Sequence, residues 1–298
     1  MTALAHDTVT LLTDFGTAGG AVGVLHSVIR QFAPGVGVVD LSHEVAPFDT
    51  RGASVLLARS VQYLCPGVIL VGVDPTVGTG RRLVAIEVAE GRAVFVGPDN
   101  GVLAAGISML GGAERAVCLD NSEYHLPTTA TTASSRDVLA PVAGHLCSGV
   151  PLSELGSELD PAGLMPGIIP IARHEGAELA AEVLSVDRFG NLQLNLSPED
   201  IELVGDQLTV IAAGFRRSLR IAASYEAIGS GLALVVDADG LITVCANRSS
   251  AAEELGLGIG DPVTVTVDEG EGDAPASAAV SVHLGPRPKS ASPSGGIE

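Results

Sequence analysis

The chain changes texture near its middle, and that change limits the folds open to it. Over residues 8–110, β-branched and aliphatic runs alternate with helix-length stretches. Residues 8–12 read as a short strand that closes at Thr13-Asp14-Phe15-Gly16, and a helix follows over 21–32, ended by Pro34-Gly35. A strand is expected at 36–41, a helix at 52–63 and a third strand at 68–73, which breaks at Asp74-Pro75. Residues 83–88 and 93–97 form a hairpin around Glu90-Gly91, and 102–110 is another helix. Such alternation predicts an α/β N-terminal domain with a largely parallel central sheet between helices. Ligands of these sheets sit beyond the carboxyl ends of the strands, where Asp14, Asp40 and Asp74 all fall.

After about residue 176 the helical periodicity disappears. Short strands at 177–186, 192–196, 207–212, 232–236, 241–246 and 262–267, with turn residues between them, predict a smaller all-β barrel. The expected organisation is an α/β domain over 1–170 and a β-barrel domain over 171–268. Residues 269–298, rich in Gly, Pro and Ser, are expected to be a disordered tail.

Composition removes several classes of function. Hydrophobic residues make up 46% of the chain and aromatics only 3%, so the core must be aliphatic. The formal charge of −19 repels phosphate backbones and anionic lipid, so neither nucleic acid nor a membrane surface is an expected partner. Cys65, Cys118, Cys147 and Cys245 show neither disulfide nor zinc-site spacing and read as buried thiols. No secretory signal or membrane-length apolar run is visible, and a cytoplasmic location is expected. No metal or cofactor is called for.

The residues that could carry chemistry stand at turns. Asp14 precedes the glycine-rich stretch 16–23, which matches neither a Walker loop nor GxGxxG and suits a tight turn near a ligand. Asp14 itself could equally be a cap or turn residue. Asp74 closes a strand, and Arg81 and Arg82 follow seven and eight residues later. A carboxylate and a guanidinium in one pocket can hold and polarise water; a structural salt bridge is the alternative. Pro98-Asp99-Asn100-Gly101 and Asp187-Arg188-Phe189-Gly190-Asn191 are each turn-like when taken alone.

Taken in order, these segments and Ser135-Arg136-Asp137-Val138-Leu139-Ala140-Pro141 resemble the S-adenosylmethionine hydrolase (hydroxide adenosyltransferase) family, relatives of the fluorinating and chlorinating enzymes. The resemblance covers about residues 8–268. It implies an α/β domain followed by a β-barrel, a homotrimer with sites between subunits, and S-adenosylmethionine as substrate with no cofactor. It also implies that Asp14 binds the ribose hydroxyls and that Asp187, Phe189 and Asn191 face the substrate from the other domain. By the same resemblance Phe48 takes the place of a packing Trp, and the segment 241–248, with Ala246, reads the adenine edge.

Asp74 and Arg81 match two members of the family's water-orienting Asp-Arg-His set. Ser134 stands where the His is found, and Ser135 matches a serine that fluorinating relatives use against halide. Thr76 replaces a usual Gly. A serine can bond a water but cannot take a proton near neutral pH as imidazole can; His125 is the nearest substitute in sequence. The implied reaction is in-line attack at C5′ by water held at Asp74 and Arg81, with Ser134 and Ser135 completing its hold. It releases adenosine and methionine. Halogenation of the same substrate, or a weakly active S-adenosylmethionine- or adenosine-binding protein, are the alternatives.

Overall fold

The computed structural model describes residues 5–127, 130–176, 178–202 and 207–267. Its two sheets give a two-domain structure; the expected tail at 269–298 lies outside the described residues.

The first sheet comprises β1 (Thr8–Thr13), β2 (Gly37–Ser42), β3 (Gly67–Gly72), β4 (Leu83–Val88), β5 (Ala93–Pro98), β6 (Arg115–Cys118) and β7 (Glu158–Leu159), in the order β2-β1-β3-β5-β4-β6-β7. Pairing is parallel from β2 through β1 and β3 to β5, and antiparallel from β5 through β4 and β6 to β7. The sheet is therefore mixed, which corrects the expectation of a largely parallel one. The unexpected strands β6 and β7 pair antiparallel beyond β4, extending the antiparallel half begun by the expected hairpin, whose tight connection reverses the chain at Ala89, Glu90 and Gly91 with positive φ of 54°, 59° and 76°. A connection that short cannot make the crossover that parallel pairing requires.

Helices cover both faces. α1 (Ala21–Phe32) and α4 (Ala140–Cys147) pack with Val9, Leu11, Val68 and Leu70 on one side. α2 (Thr50–Ser60) and α3 (Ala104–Met109) pack with Leu12, Ile69, Val71 and Phe95 on the other. Alternate residues of each strand thus feed opposite cores, as a doubly covered sheet demands. α1 buries Leu25, Val28 and Ile29, spaced to lie on one helical face. Asp49 caps α2 by accepting from the Gly52 N–H at 2.7 Å, and the expected helix to residue 63 ends at Ser60 with a short 3₁₀ turn beyond.

The second sheet comprises β8 (Arg173–Glu175), β9 (Glu178–Val186), β10 (Leu192–Leu194), β11 (Gln207–Ala212), β12 (Phe215–Arg220), β13 (Leu232–Val236), β14 (Ile242–Ala246) and β15 (Pro262–Val267). Their order is β12-β11-β15-β9-β10-β14-β13, with β8 beside β9. Its ends approach each other where the Ala222 N–H donates to the Leu234 carbonyl at 2.8 Å, so the sheet is barrel-like and nearly closed. Two five-residue helices, α5 (Pro198–Glu202) and α6 (Ala251–Leu255), interrupt the expected all-β pattern. The domains are tied through α2. Arg59 Nη1 donates to Gln193 Oε1 at 2.5 Å and lies 3.3 Å from Asp239, while Arg51 pairs with Glu182. Among the described residues no helix is long and apolar enough to cross a membrane.

Candidate active site

β1 and β3 run side by side in parallel, with Thr13 opposite Gly72, so the chain leaves both strands at one edge of the sheet. Asp14 and Asp74 stand just past those ends. They line one cleft of 280 Å³ together with Ser134, Ser135, Phe15 and Val24. Its far wall is a π-helical turn, Ser135–Leu139, entered through Ser134 and continuous with α4. Gly72 lets that turn come close: a Cβ there would lie 3.0 Å from Ser135 Oγ and 3.2 Å from Thr13 Cγ2. The expected set Asp14, Asp74, Ser134 and Ser135 is therefore brought together.

Arg81 is joined to this group indirectly. Asp74, only 10% exposed, accepts at Oδ1 from the Thr76 backbone N–H (3.0 Å) and hydroxyl (2.9 Å). Arg81 Nε donates to that same hydroxyl at 2.6 Å and lies 3.8 Å from Asp74 Oδ1. Arg81 Nη1 donates to the Asp99 carbonyl at 3.0 Å. Thr76 thus relays the guanidinium to the carboxylate, a function its place in the sequence did not reveal. Asp74 Oδ2 has no protein partner among the described residues and can accept from a ligand.

A second missed residue is His43. Buried at the close of β2, it shares a hydrogen bond between Nδ1 and Thr13 Oγ1 at 2.8 Å and places Nε2 3.0 Å from Asp40. His26 Nε2 reaches the same Asp40 oxygen at 2.7 Å. Burial pushes the Asp40 carboxyl up, but the nearby rings of His43 and His26 outweigh it and hold the pKa below the usual carboxylate value. This chain of side chains braces the strand end that carries Asp14. No spacing motif marks His43; its only signal is a position at the carboxyl end of a strand, like that of Asp14. His125 lines neither the cleft nor its neighbours, and burial lowers its pKa.

Phe48 is 73% exposed, holds a positive φ of 69° and does not line the cleft, although its N–H lies 3.4 Å from Asp14 Oδ2. Asp187, Phe189, Asn191 and Ala246 line a separate cleft of 880 Å³ on the barrel-like domain. Asp187 organises that turn. Its Oδ1 accepts from the N–H groups of Phe189 and Asn191, both at 2.9 Å, and its Oδ2 accepts from Asn191 Nδ2 at 2.8 Å. The ring of Phe189 stands 71% exposed above it. The two clefts share no lining residue. Of the four cysteines, Cys147 and Cys245 are buried with thiols pushed up to about 12, whereas Cys65 is exposed and Cys118 half-buried, so the expectation of uniformly buried thiols is corrected.

Known proteins bear on this arrangement. The SAM hydroxide adenosyltransferase N-terminal domain matches residues 9–156 and the C-terminal domain of that family matches residues 181–264. An (R)-S-adenosyl-L-methionine hydrolase of Thermus thermophilus is 40% identical over 254 residues, 83% of this chain and 94% of the relative. One of Salinispora tropica is 36% identical over 249 residues, 84% and 94% respectively. A fluorinase of Actinoplanes sp. is more distant, at 24% identity over 74% of this chain and 80% of its own. A crystal structure of an uncharacterised conserved protein from Thermotoga maritima superposes with a TM-score of 0.80 at 29% identity, covering 87% of this chain and 99% of that one. With both domains matched in order over most of its length, the chain belongs to the SAM hydroxide adenosyltransferase family.

Proposed function

We propose that this protein hydrolyses S-adenosyl-L-methionine to adenosine and L-methionine. The observation that carries the reading is Asp74: one carboxylate oxygen is fixed by Thr76 and Arg81, and the other is left to accept from a water beside Asp14. Asp14 binds the ribose hydroxyls and sets C5′ against that water. The water oxygen attacks C5′ in line, the C5′–S bond breaks, and its electron pair stays on sulfur. Because methionine departs as a neutral thioether, no proton donor is needed for it, and the water's surplus proton passes to Asp74 and on to solvent. Ser134 and Ser135 hold the water from the far wall. The relatives' names specify the (R) epimer, and we assign the same epimer here.

A cleft of 280 Å³ is at the lower edge of what encloses a small ligand, ~300–1,000 Å³, so it takes the reacting centre and not the whole substrate. The remainder is assigned to the cleft of Asp187, Phe189, Asn191 and Ala246 on an adjacent subunit of a homotrimer, with Phe48 packing at the seam. Exposed Phe48 and Phe189 support such an interface. The domains divide at 170/171. The chemistry proceeds without a cofactor or metal, because the leaving group is already activated as a sulfonium. Four free cysteines fit a cytoplasmic location. Asp74 and Arg81 favour water over halide as the nucleophile.

Asp74→Asn removes a preorganised contact worth ~2.7–4 kcal/mol of barrier, so adenosine release is expected to slow at least about a hundredfold. Chromatography of the reaction mixture checks this, and wild-type rates from that variant would remove Asp74 from the mechanism.

A further inference from the structure

Bordering Asp74 but not Asp14 lies a half-open chamber of 80 Å³ lined by Thr76, Thr79, Thr131, Ser134, Arg81 and Asp74 itself, with Val77, Gly78 and Leu83. It shares Asp74, Val77 and Ser134 with the substrate cleft. It also shares Thr79 and Arg81 with a solvent-facing hollow that Arg82, Asp99 and Met165 border. The chamber thus shares walls with both neighbours, and Asp74 and Ser134 belong to the wall it shares with the substrate cleft.

At ~30 Å³ per molecule of liquid water, the chamber has room for about two to three, and hydroxyls, a carboxylate and a guanidinium supply the several polar partners that a held water needs. Its width is limited where Gly78, at φ +85°, passes the 131–132 segment: a Cβ on Gly78 would lie 3.3 Å from Thr132 Cγ2 and 3.4 Å from Thr131 Oγ1. A route separate from the cleft would let water reach Asp74 while substrate occupies the side over Asp14.

We propose that this chamber is the entry path for the attacking water, separate from the substrate's own entrance, with Thr131 on its wall as a positioning residue. The inference rests on the hydrolase reading and adds the nucleophile's route to it. The same row of hydroxyls and water gives the proton lost from the attacking water a way out past Asp74, which a site with serine at position 134 requires. In the balanced step, water and the sulfonium substrate give adenosine, methionine and one proton.

Thr131 lines the chamber but not the substrate cleft, so it tests the path without touching the substrate. Thr131→Leu fills the chamber, Thr131→Val keeps its volume but removes the hydroxyl, and Thr131→Ser keeps the hydroxyl. The expected order of kcat is Ser near wild type, then Val, then Leu, with Leu down at least about tenfold and KM for S-adenosylmethionine within about twofold of wild type throughout. If Leu does not fold, the Val-to-Ser comparison still decides. Equal kcat for Val, Ser and wild type overturns the path, as does a rise in KM that accounts for the loss. Wild-type enzyme assayed alongside keeps the two ideas apart: no adenosine from wild type removes hydrolysis itself, whereas adenosine from all forms alike removes only the chamber's role.

Discussion

Thr76 shows how much of this site depends on single atoms. Its hydroxyl donates to Asp74 Oδ1 and accepts from Arg81 Nε, so it is the bonded link in an ion pair whose own separation is 3.8 Å. Thr76→Val leaves the side-chain volume but takes away both bonds, and the loss of ~1.5–3 kcal/mol typical of charged hydrogen bonds is expected to lower kcat by about tenfold or more. Thr76→Ser should restore most of the rate, and steady-state kinetics on the pair checks it. Asp14 and Asp74 were legible in the sequence because each closes a buried strand, a place that topology makes useful whatever the surroundings. The relay through Thr76 was not, since it depends on how the 74–81 turn folds back, and sequence spacing alone shows only that Asp74 and Arg81 can meet. His43 carries no spacing signature at all.

Among the secondary-structure elements, close approach of backbones matters more than side-chain bulk. α4 lies against α1 at Gly144, where an added Cβ would be 2.8 Å from both the Ile29 carbonyl oxygen and Phe32 Cβ. Gly144→Ala is expected to destabilise the protein by about 1–3 kcal/mol through overpacking, measurable as a lower urea midpoint. Because α4 continues from the Ser135–Leu139 turn, part of that strain should reach the wall of the cleft. Periodicity located α1 and most strands within a residue or two, since apolar burial dictates them directly. It missed the short β6, β7 and β8, and also β12, whose Arg216, Arg217 and Arg220 point to solvent from an edge strand. It also overstated parallel pairing, because the unforeseen β6 and β7 extend the sheet antiparallel beyond the expected hairpin.

At the scale of the whole molecule, three histidines make the fold sensitive to acid. Burial lowers the pKa of His6, His125 and His145, with Glu87 and Asp7 opposing it at His6 and Asp120 at His125. In the unfolded chain each takes up a proton near pH ~6.5, before its folded counterpart does, so the unfolded state gains protons first. Their contribution to stability is therefore complete above that pH and declines as pH falls below it toward the folded values. The Tm is expected to drop on acidification through this window, and His145→Gln, replacing a ring that packs 4.3 Å from Phe32, should shallow the slope. Differential scanning calorimetry over a pH series checks both. The lack of any shared residue between the clefts of Asp74 and Phe189 carries a genetic consequence. In the proposed homotrimer, with each site built from two subunits, Asp74→Asn and Phe189→Ala chains, each expected to be impaired alone, should rescue one another when co-expressed. In randomly mixed rings about a quarter of the junctions would pair an intact half from each parent, and recovered adenosine output near that fraction would mark an enzyme whose working unit belongs to no single polypeptide.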